Sequence, residues 1–143
     1  IYDDKAFQTC IKIMREKVKD YRFNKIAAID ARGFIFGAAL AIKMGIGITI
    51  VRKRGKVPGK KIQVDYDLEY GKDTLELNPD LSKNSFLLVD DLLATGGTAK
   101  AACELISNSG GNVVCFISLI ELSFLNGNKK LKIPCESILK YNE

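Results

Sequence analysis

The chain has 143 residues, 47% hydrophobic and 27% charged, with a formal net charge of +5. That length suits one domain with a substantial core, and no apolar run reaches the ~20 residues of a membrane span. There is no histidine, and Cys10, Cys103, Cys115 and Cys135 form no CxxC pair, which excludes the usual zinc sites and every Ser/His or Cys/His nucleophile scheme.

In chain order, the opening IYDDKAFQTC is polar and acidic, which argues against a secretory leader; a first residue other than Met points to a fragment or a processed form. Phe7, Ile11, Met14, Val18 and Tyr21 recur at helical spacing and predict an amphipathic helix capped by Asp3 or Asp4. KIAAID reads as a short buried strand ending at Asp30, ARG as a turn, FIFGAALAIKM as an apolar helix closed by Gly45, and IGITIVRK as a second buried strand. Strand, helix and strand at this spacing make a βαβ unit and imply a parallel sheet. In KIQVDYDLEY the apolar residues Ile62, Val64, Tyr66, Leu68 and Tyr70 alternate with polar ones, a strand with one wet face, and TLELN can return as its hairpin partner. SFLLVDD resumes the buried parallel style. TAKAACELISNSGG predicts a helix with Ala99, Ala102, Cys103 and Ile106 on one side, stopped by Gly110 and Gly111. NVVCFISLIEL and ESILKY supply the last strands. The cysteines fall within these apolar or helical patterns and read as free, buried thiols of a reducing cytoplasm. The whole, residues 1–143, is a single α/β domain: a central parallel sheet flanked by helices, with a protruding antiparallel flap.

Two stretches carry chemistry. VRKRGKVPGKK crowds cations between Arg52 and Lys61 among Gly and Pro, with no aromatic ring to stack a base. A net positive charge serves nucleic acid or a small anionic substrate equally, but this local composition suits phosphates. FLLVDDLLATGGTAK places Asp90 and Asp91 at the end of a buried strand and then opens a helix through Ala94–Thr98. A helix start presents free N–H groups and a partial positive charge to an anion. Gly96 and Gly97 let backbone approach closely, and Thr95 and Thr98 add hydroxyls. The loop lacks the Lys and spacing of a Walker motif and the GxGxxG of dinucleotide folds. Carboxylates at that distance can accept hydrogen bonds from vicinal hydroxyls, so phosphate and diol together describe a ribose 5-phosphate. The plainer alternative is that Asp90 and Asp91 only cap the turn.

FLLVDDLLATGGT resembles the phosphoribosyl-pyrophosphate signature of the type I phosphoribosyltransferases. IDARGFIFGAALA, VRKRGKVPGK, LEYGKDTLEL and LIELSFLNG resemble, in order, segments of the adenine phosphoribosyltransferase family, and the likeness covers nearly the whole chain. It implies transfer of the phosphoribosyl group of phosphoribosyl pyrophosphate to N9 of adenine, giving AMP and pyrophosphate with Mg²⁺. This is a purine-salvage glycosyltransferase reaction, expected of a cytoplasmic homodimer with no nucleic-acid or membrane partner. It assigns the 5′-phosphate to Ala94, Thr95, Gly96, Gly97 and Thr98, and the ribose to Asp90 and Asp91. It assigns the pyrophosphate to Ala31, Arg32, Arg52, Lys53 and Lys56, with Arg54 in the same cationic segment, and packs Leu92 on the purine. Glu69 is matched to the loop glutamate that exchanges a proton with purine N7, beside Tyr70 at the flap, so Glu69 and Arg32 are the expected catalytic pair. Asp65 and Asp67 match no motif and are expected to be solvated. A non-proline cis peptide is expected between Ala31 and Arg32. Leu92 as plain core, Arg32 as a surface arginine and the cations as solvated charges stay open as alternatives.

The family's usual N-terminal hood, which reads the adenine edge, has no counterpart in this sequence. Base specificity therefore rests on overall resemblance. The competing expectations are a regulator that binds phosphoribosyl pyrophosphate, an inactive truncated homologue, or a transferase for another purine or orotate.

Overall fold

The computed structural model describes residues 1–68, 71–77, 81 and 83–143. Helix α1 (Asp4–Val18) begins where Asp3 Oδ1 accepts the Ala6 N–H at 2.9 Å, and it buries Ile11, Met14 and Val18. Strand β1 (Lys25–Ile29) leads through a turn into α2 (Gly33–Met44), which Gly45 closes with a φ of 68°. β2 (Gly47–Lys53), β3 (Ile62–Leu68) and β4 (Gly71–Leu77) follow. β5 (Ser85–Leu93), α3 (Gly97–Asn108), β6 (Asn112–Leu122) and β7 (Cys135–Tyr141) complete the chain, with 3₁₀ turns at Ser123–Leu125 and Gly127–Lys130.

All strands join one seven-stranded sheet in the order β3-β4-β2-β1-β5-β6-β7. The stretch from β2 to β7 is parallel, whereas β4 runs antiparallel to both β3 and β2. The expected antiparallel hairpin is present, and it joins the edge of the parallel sheet. Arg52 and Lys53 at the end of β2 pair with Glu76 and Leu75, which makes the hairpin an edge extension.

Alternate residues of the central strands feed two cores, as a sheet covered on both faces requires. Ala27, Ile29, Leu88 and Phe116 pack with Ala102, Leu105 and Ile106 of α3. Ile26, Leu87, Val89 and Ile117 pack with Met14 of α1 and Phe36 and Leu40 of α2. Tyr21, just past α1, ties that layer to β7 by donating to Glu136 at 2.8 Å.

Two expectations of burial need correction. β2 is not a buried strand: Ile48 and Ile50 are 40% and 39% exposed, and Val51 alone of its residues is buried. β4 pairs with β2 only through Arg52 and Lys53, so among the described residues no strand pairs with Gly47–Val51 on the side away from β1. Of the cysteines, all free, only Cys115 is fully buried. No helix among the described residues is long and apolar enough to cross a membrane.

Candidate active site

β1 sends the chain through α2 to β2 on one side, and β5 sends it through α3 to β6 on the other. Right-handed crossovers in opposite directions put their helices on opposite faces and leave a crevice beyond the carboxyl ends of β1 and β5. A cavity of about 450 Å³ opens there, between the 30–32 turn, the 53–56 turn and residues 90–99.

Its floor is the acid pair. Asp90 Oδ1 accepts the N–H of Asp91 at 2.8 Å, and Asp91 Oδ2 accepts from Arg32 Nε at 2.5 Å. Burial, reinforced by the neighbouring Asp91 carboxylate, pushes Asp90 up to about 8. Burial pulls Asp91 the same way but is outweighed by the Arg32 hydrogen bond and charge and by Asp90, so Asp91 stays below the usual carboxylate range. One negative charge, held on the Arg32 side, is the arrangement these environments favour.

One wall is the loop Ala94–Thr98. Gly96 holds a φ of 88° at the start of α3 and gives the first-turn amides no side-chain cap, and Gly96–Ala99 line the crevice. The loop is braced from behind by the turn after β6. A Cβ on Gly96 would lie 2.5 Å from the Gly127 carbonyl oxygen, and one on Gly127 would collide with the Ala94 carbonyl. Backbone therefore packs on backbone, which fixes the loop without a side chain.

The opposite wall is cationic. The Asp30 carboxylate, only 4% exposed, accepts the Lys53 N–H at 3.1 Å and lies 3.5 Å from Arg52 Nε and 3.6 Å from Lys56 Nζ. Burial raises its pKa, yet the Lys53 amide and the Lys56 and Arg52 charges more than offset this and keep it ionised. Lys53 Nζ donates to Tyr66 Oη at 2.9 Å and stands 3.9 Å from Asp73 Oδ2.

The cavity is lined by Ala31, Arg32, Lys53, Lys56, Asp90, Asp91, Leu92 and Ala94–Thr98, so most of the expected residues meet in one place. Arg52 does not line it: its guanidinium turns to Asp30 and over the Phe34 ring, 5.8 Å from the centroid. Arg54 turns away too, donating to Thr74 Oγ1 at 2.9 Å. Thr74 Oγ1 in turn donates to Asp65 at 2.6 Å, so Asp65 is not simply solvated. Glu69 and Tyr70 lie outside the described residues. The non-proline cis peptide falls one bond earlier than expected, at Asp30–Ala31. The sequence alone gave no role to Asp30 or Gly127, although both fall within stretches that carry the family resemblance, IDARGFIFGAALA and LIELSFLNG.

Residues 1–134 match the family described as Phosphoribosyl transferase domain. The adenine phosphoribosyltransferase of Kosmotoga olearia is 48% identical over 142 residues, 97% of this chain and 84% of that protein. That of Acetivibrio thermocellus is 45% identical, over 99% of this chain and 85% of the relative. The crystal structure of the Thermoanaerobacter pseudethanolicus adenine phosphoribosyltransferase superposes with a TM-score of 0.95 at 43% identity, covering 98% of this chain and 83% of that one. The Saccharomyces cerevisiae adenine phosphoribosyltransferase, solved with an imino-altritol bisphosphate and adenine, gives a TM-score of 0.89 at 34% identity over 96% of this chain and 82% of that one.

Proposed function

Because this chain belongs to the phosphoribosyl transferase family, among its adenine phosphoribosyltransferases, we propose that its crevice moves a phosphoribosyl group from phosphoribosyl pyrophosphate to adenine. The observation that carries this reading is an acid pair set between two anion-binding walls, in a cavity of about 450 Å³. A substrate with a phosphate at one end, a diol in the middle and a diphosphate at the other fits that order of charges.

The 5′-phosphate sits on the amides of Ala94–Thr98 at the start of α3 and takes hydroxyl donors from Thr95 and Thr98. Asp90 and Asp91 accept from the ribose hydroxyls. Ala31, Arg32, Lys53 and Lys56 hold the pyrophosphate, while Arg52, turned to Asp30, supports that wall from behind. Leu92 meets the purine. Adenine N9 then bonds to C1′ through its lone pair as the C1′–O bond to pyrophosphate breaks; the electron pair of that bond leaves on the pyrophosphate, and the base loses its one proton from N7 to Glu69. The acid pair favours the positive charge that develops on the ribose ring, and Lys53 and Lys56 favour the negative charge on the leaving oxygen. Glu69 exchanges a proton with purine N7, beside Tyr70.

The site fits a Mg²⁺ ion that arrives on the diphosphate. Among the described residues no group of three or more acids or cysteines could hold a metal by itself. Asp90 and Asp91, however, supply the one or two carboxylates that Mg²⁺ takes alongside phosphate oxygens and waters. Bound there, it would neutralise charge on the diphosphate.

Residues 1–143 act as one domain in this reading, and the four free thiols suit a cytoplasmic setting. A homodimer is supported by apolar surface on α2 and β2: Ile42 is 85% exposed, Ile35 41%, Ile48 40% and Ile50 39%. The test of function is incubation with phosphoribosyl pyrophosphate, Mg²⁺ and, separately, adenine, hypoxanthine, guanine and orotate. AMP from adenine alone is expected. Nucleotide from another base, or none from any, refutes the reading.

A further inference from the structure

Glu76 of β4 is 1% exposed and does not line the cavity, yet it is fully engaged. Its Oε1 accepts the N–H of Gly55 at 2.9 Å and that of Val57 at 3.5 Å, and Oε2 lies 3.6 Å from Lys61 Nζ. The two amides flank Lys56. Clamping both to one oxygen fixes the backbone on either side of that residue, and hence the direction in which its side chain leaves. The turn needs such a clamp. Gly55 sits at a φ of +78°, and the turn's own backbone hydrogen bond, Lys56 N–H to Lys53 C=O, is long at 3.3 Å. From this turn the Lys56 ammonium reaches the cavity wall, 3.6 Å from Asp30.

A buried carboxylate is a poor choice for simple packing, because a charge removed from water is costly unless it is paired. It stays ionised because the Gly55 amide, then the Val57 amide and Lys61, outweigh its burial. We propose that Glu76 is a positioning residue for the pyrophosphate wall: it holds the 53–57 turn so that Lys56 points at the diphosphate. This rests on the phosphoribosyl reading above and extends it to a residue outside the cavity.

The test compares phosphoribosyl pyrophosphate with ribose 5-phosphate, which lacks the diphosphate, by calorimetric titration with Mg²⁺. Glu76→Ala should weaken the first by about tenfold or more, as a misplaced binding group does, and change the second by less than about twofold. Glu76→Gln keeps an acceptor for the two N–H groups and should lose only about threefold for the first. In a Lys56→Ala background either Glu76 change should add less than about twofold, because its effect passes through Lys56. Equal weakening of both ligands would reduce Glu76 to a fold anchor, and unchanged binding or full additivity with Lys56→Ala would equally overturn the proposal. If Glu76→Ala does not fold, the ratio and the cycle are read from Glu76→Gln, with about threefold selective loss in place of about tenfold. Wild-type protein that binds neither ligand overturns the phosphoribosyl reading and this inference with it; wild-type binding with no selective loss in the variants overturns this inference alone.

Discussion

Replacing Asp90 by Asn should stabilise the ligand-free protein at alkaline pH and leave it almost unchanged near pH 4. The cause is the acid pair. Asp90 lies beside Asp91 with Lys53 as its most effective nearby cation, and burial with that like-charged neighbour raises it from an ordinary 3.8 to about 8. A carboxyl with a raised folded-state pKa binds its proton more tightly in the folded than in the unfolded chain. Its stabilisation is therefore full below about pH 4 and is lost as pH rises toward about 8. A shift of this size corresponds to at most about 6 kcal/mol, and partial solvent access and the charge shared with Asp91 bring a realistic value to roughly 2–3 kcal/mol. The assay is urea unfolding of wild type and Asp90→Asn at about pH 5, 6.5 and 8.5, read as the difference between the two proteins. That subtraction removes the opposite slope of Asp30 and Glu76, whose pKa values are lowered; Asp91, held down in part by Asp90, keeps a share in the difference. The gap should widen with pH in favour of the variant. A gap that is constant with pH, or that widens the other way, refutes the reasoning. The same linkage makes ribose 5-phosphate bind wild type more tightly as pH rises, because sugar hydroxyls donate to the ionised form; the variant should lack that slope.

Gly127→Ala should weaken ribose 5-phosphate about tenfold in calorimetry, because its methyl group pushes on Ala94 and the 94–98 loop; unchanged affinity would mean that the turn after β6 does not brace the loop. Glu69→Gln should lower turnover with adenine by more than about tenfold while sugar-phosphate binding stays intact; near-normal turnover removes Glu69 from the mechanism. If the proposed homodimer forms through α2, Ile42→Lys should convert it to monomer in light scattering, since it puts a charge on the most exposed apolar residue of that helix; a dimer that persists places the interface elsewhere, and a monomeric wild type refutes the dimer.

What was legible in the sequence was whatever is local. The α1 stripe and its Asp3 cap involve residues three or four apart, and the structure returns them as read, except that Tyr21 lies past the helix end. The Ala94–Thr98 loop is one contiguous piece between a strand and a helix, so its chemistry can be read along the chain. Glu76 could not be. TLEL reads as a strand with alternate wet residues, but β4 buries Thr74, Leu75, Glu76 and Leu77 in succession. Its partners Gly55, Val57 and Lys61 come from a loop about twenty residues earlier, joined by a β2–β4 pairing that no local pattern announces. β2 misled in the opposite direction. Its isoleucines are apolar enough for a core, yet Ile48 and Ile50 stay 40% and 39% exposed, although Ile48 lies beside Gly37 of α2.

The cationic segment shows how sequence and site relate energetically. Loose lysines and arginines on a surface loop gain little from a ligand, because each must be ordered at the moment of binding. Here two buried acids order them beforehand. Asp30 gathers Arg52, Lys56 and the Lys53 amide, while Glu76 gathers the Gly55 and Val57 amides and Lys61. Their charges also balance the cations while no diphosphate is present, so the wall does not repel itself apart. The arrangement makes Asp30 a competitor as well as an organiser, since Lys56 must divide its charge between that carboxylate and the leaving group. Asp30→Asn should therefore leave Lys56 freer but less well directed. If the carboxylate mainly organises, affinity for phosphoribosyl pyrophosphate falls; if it mainly competes, affinity rises. Because Asp30 is 4% exposed and holds a backbone N–H as well as two cations, organisation should win, and a rise in affinity would refute it.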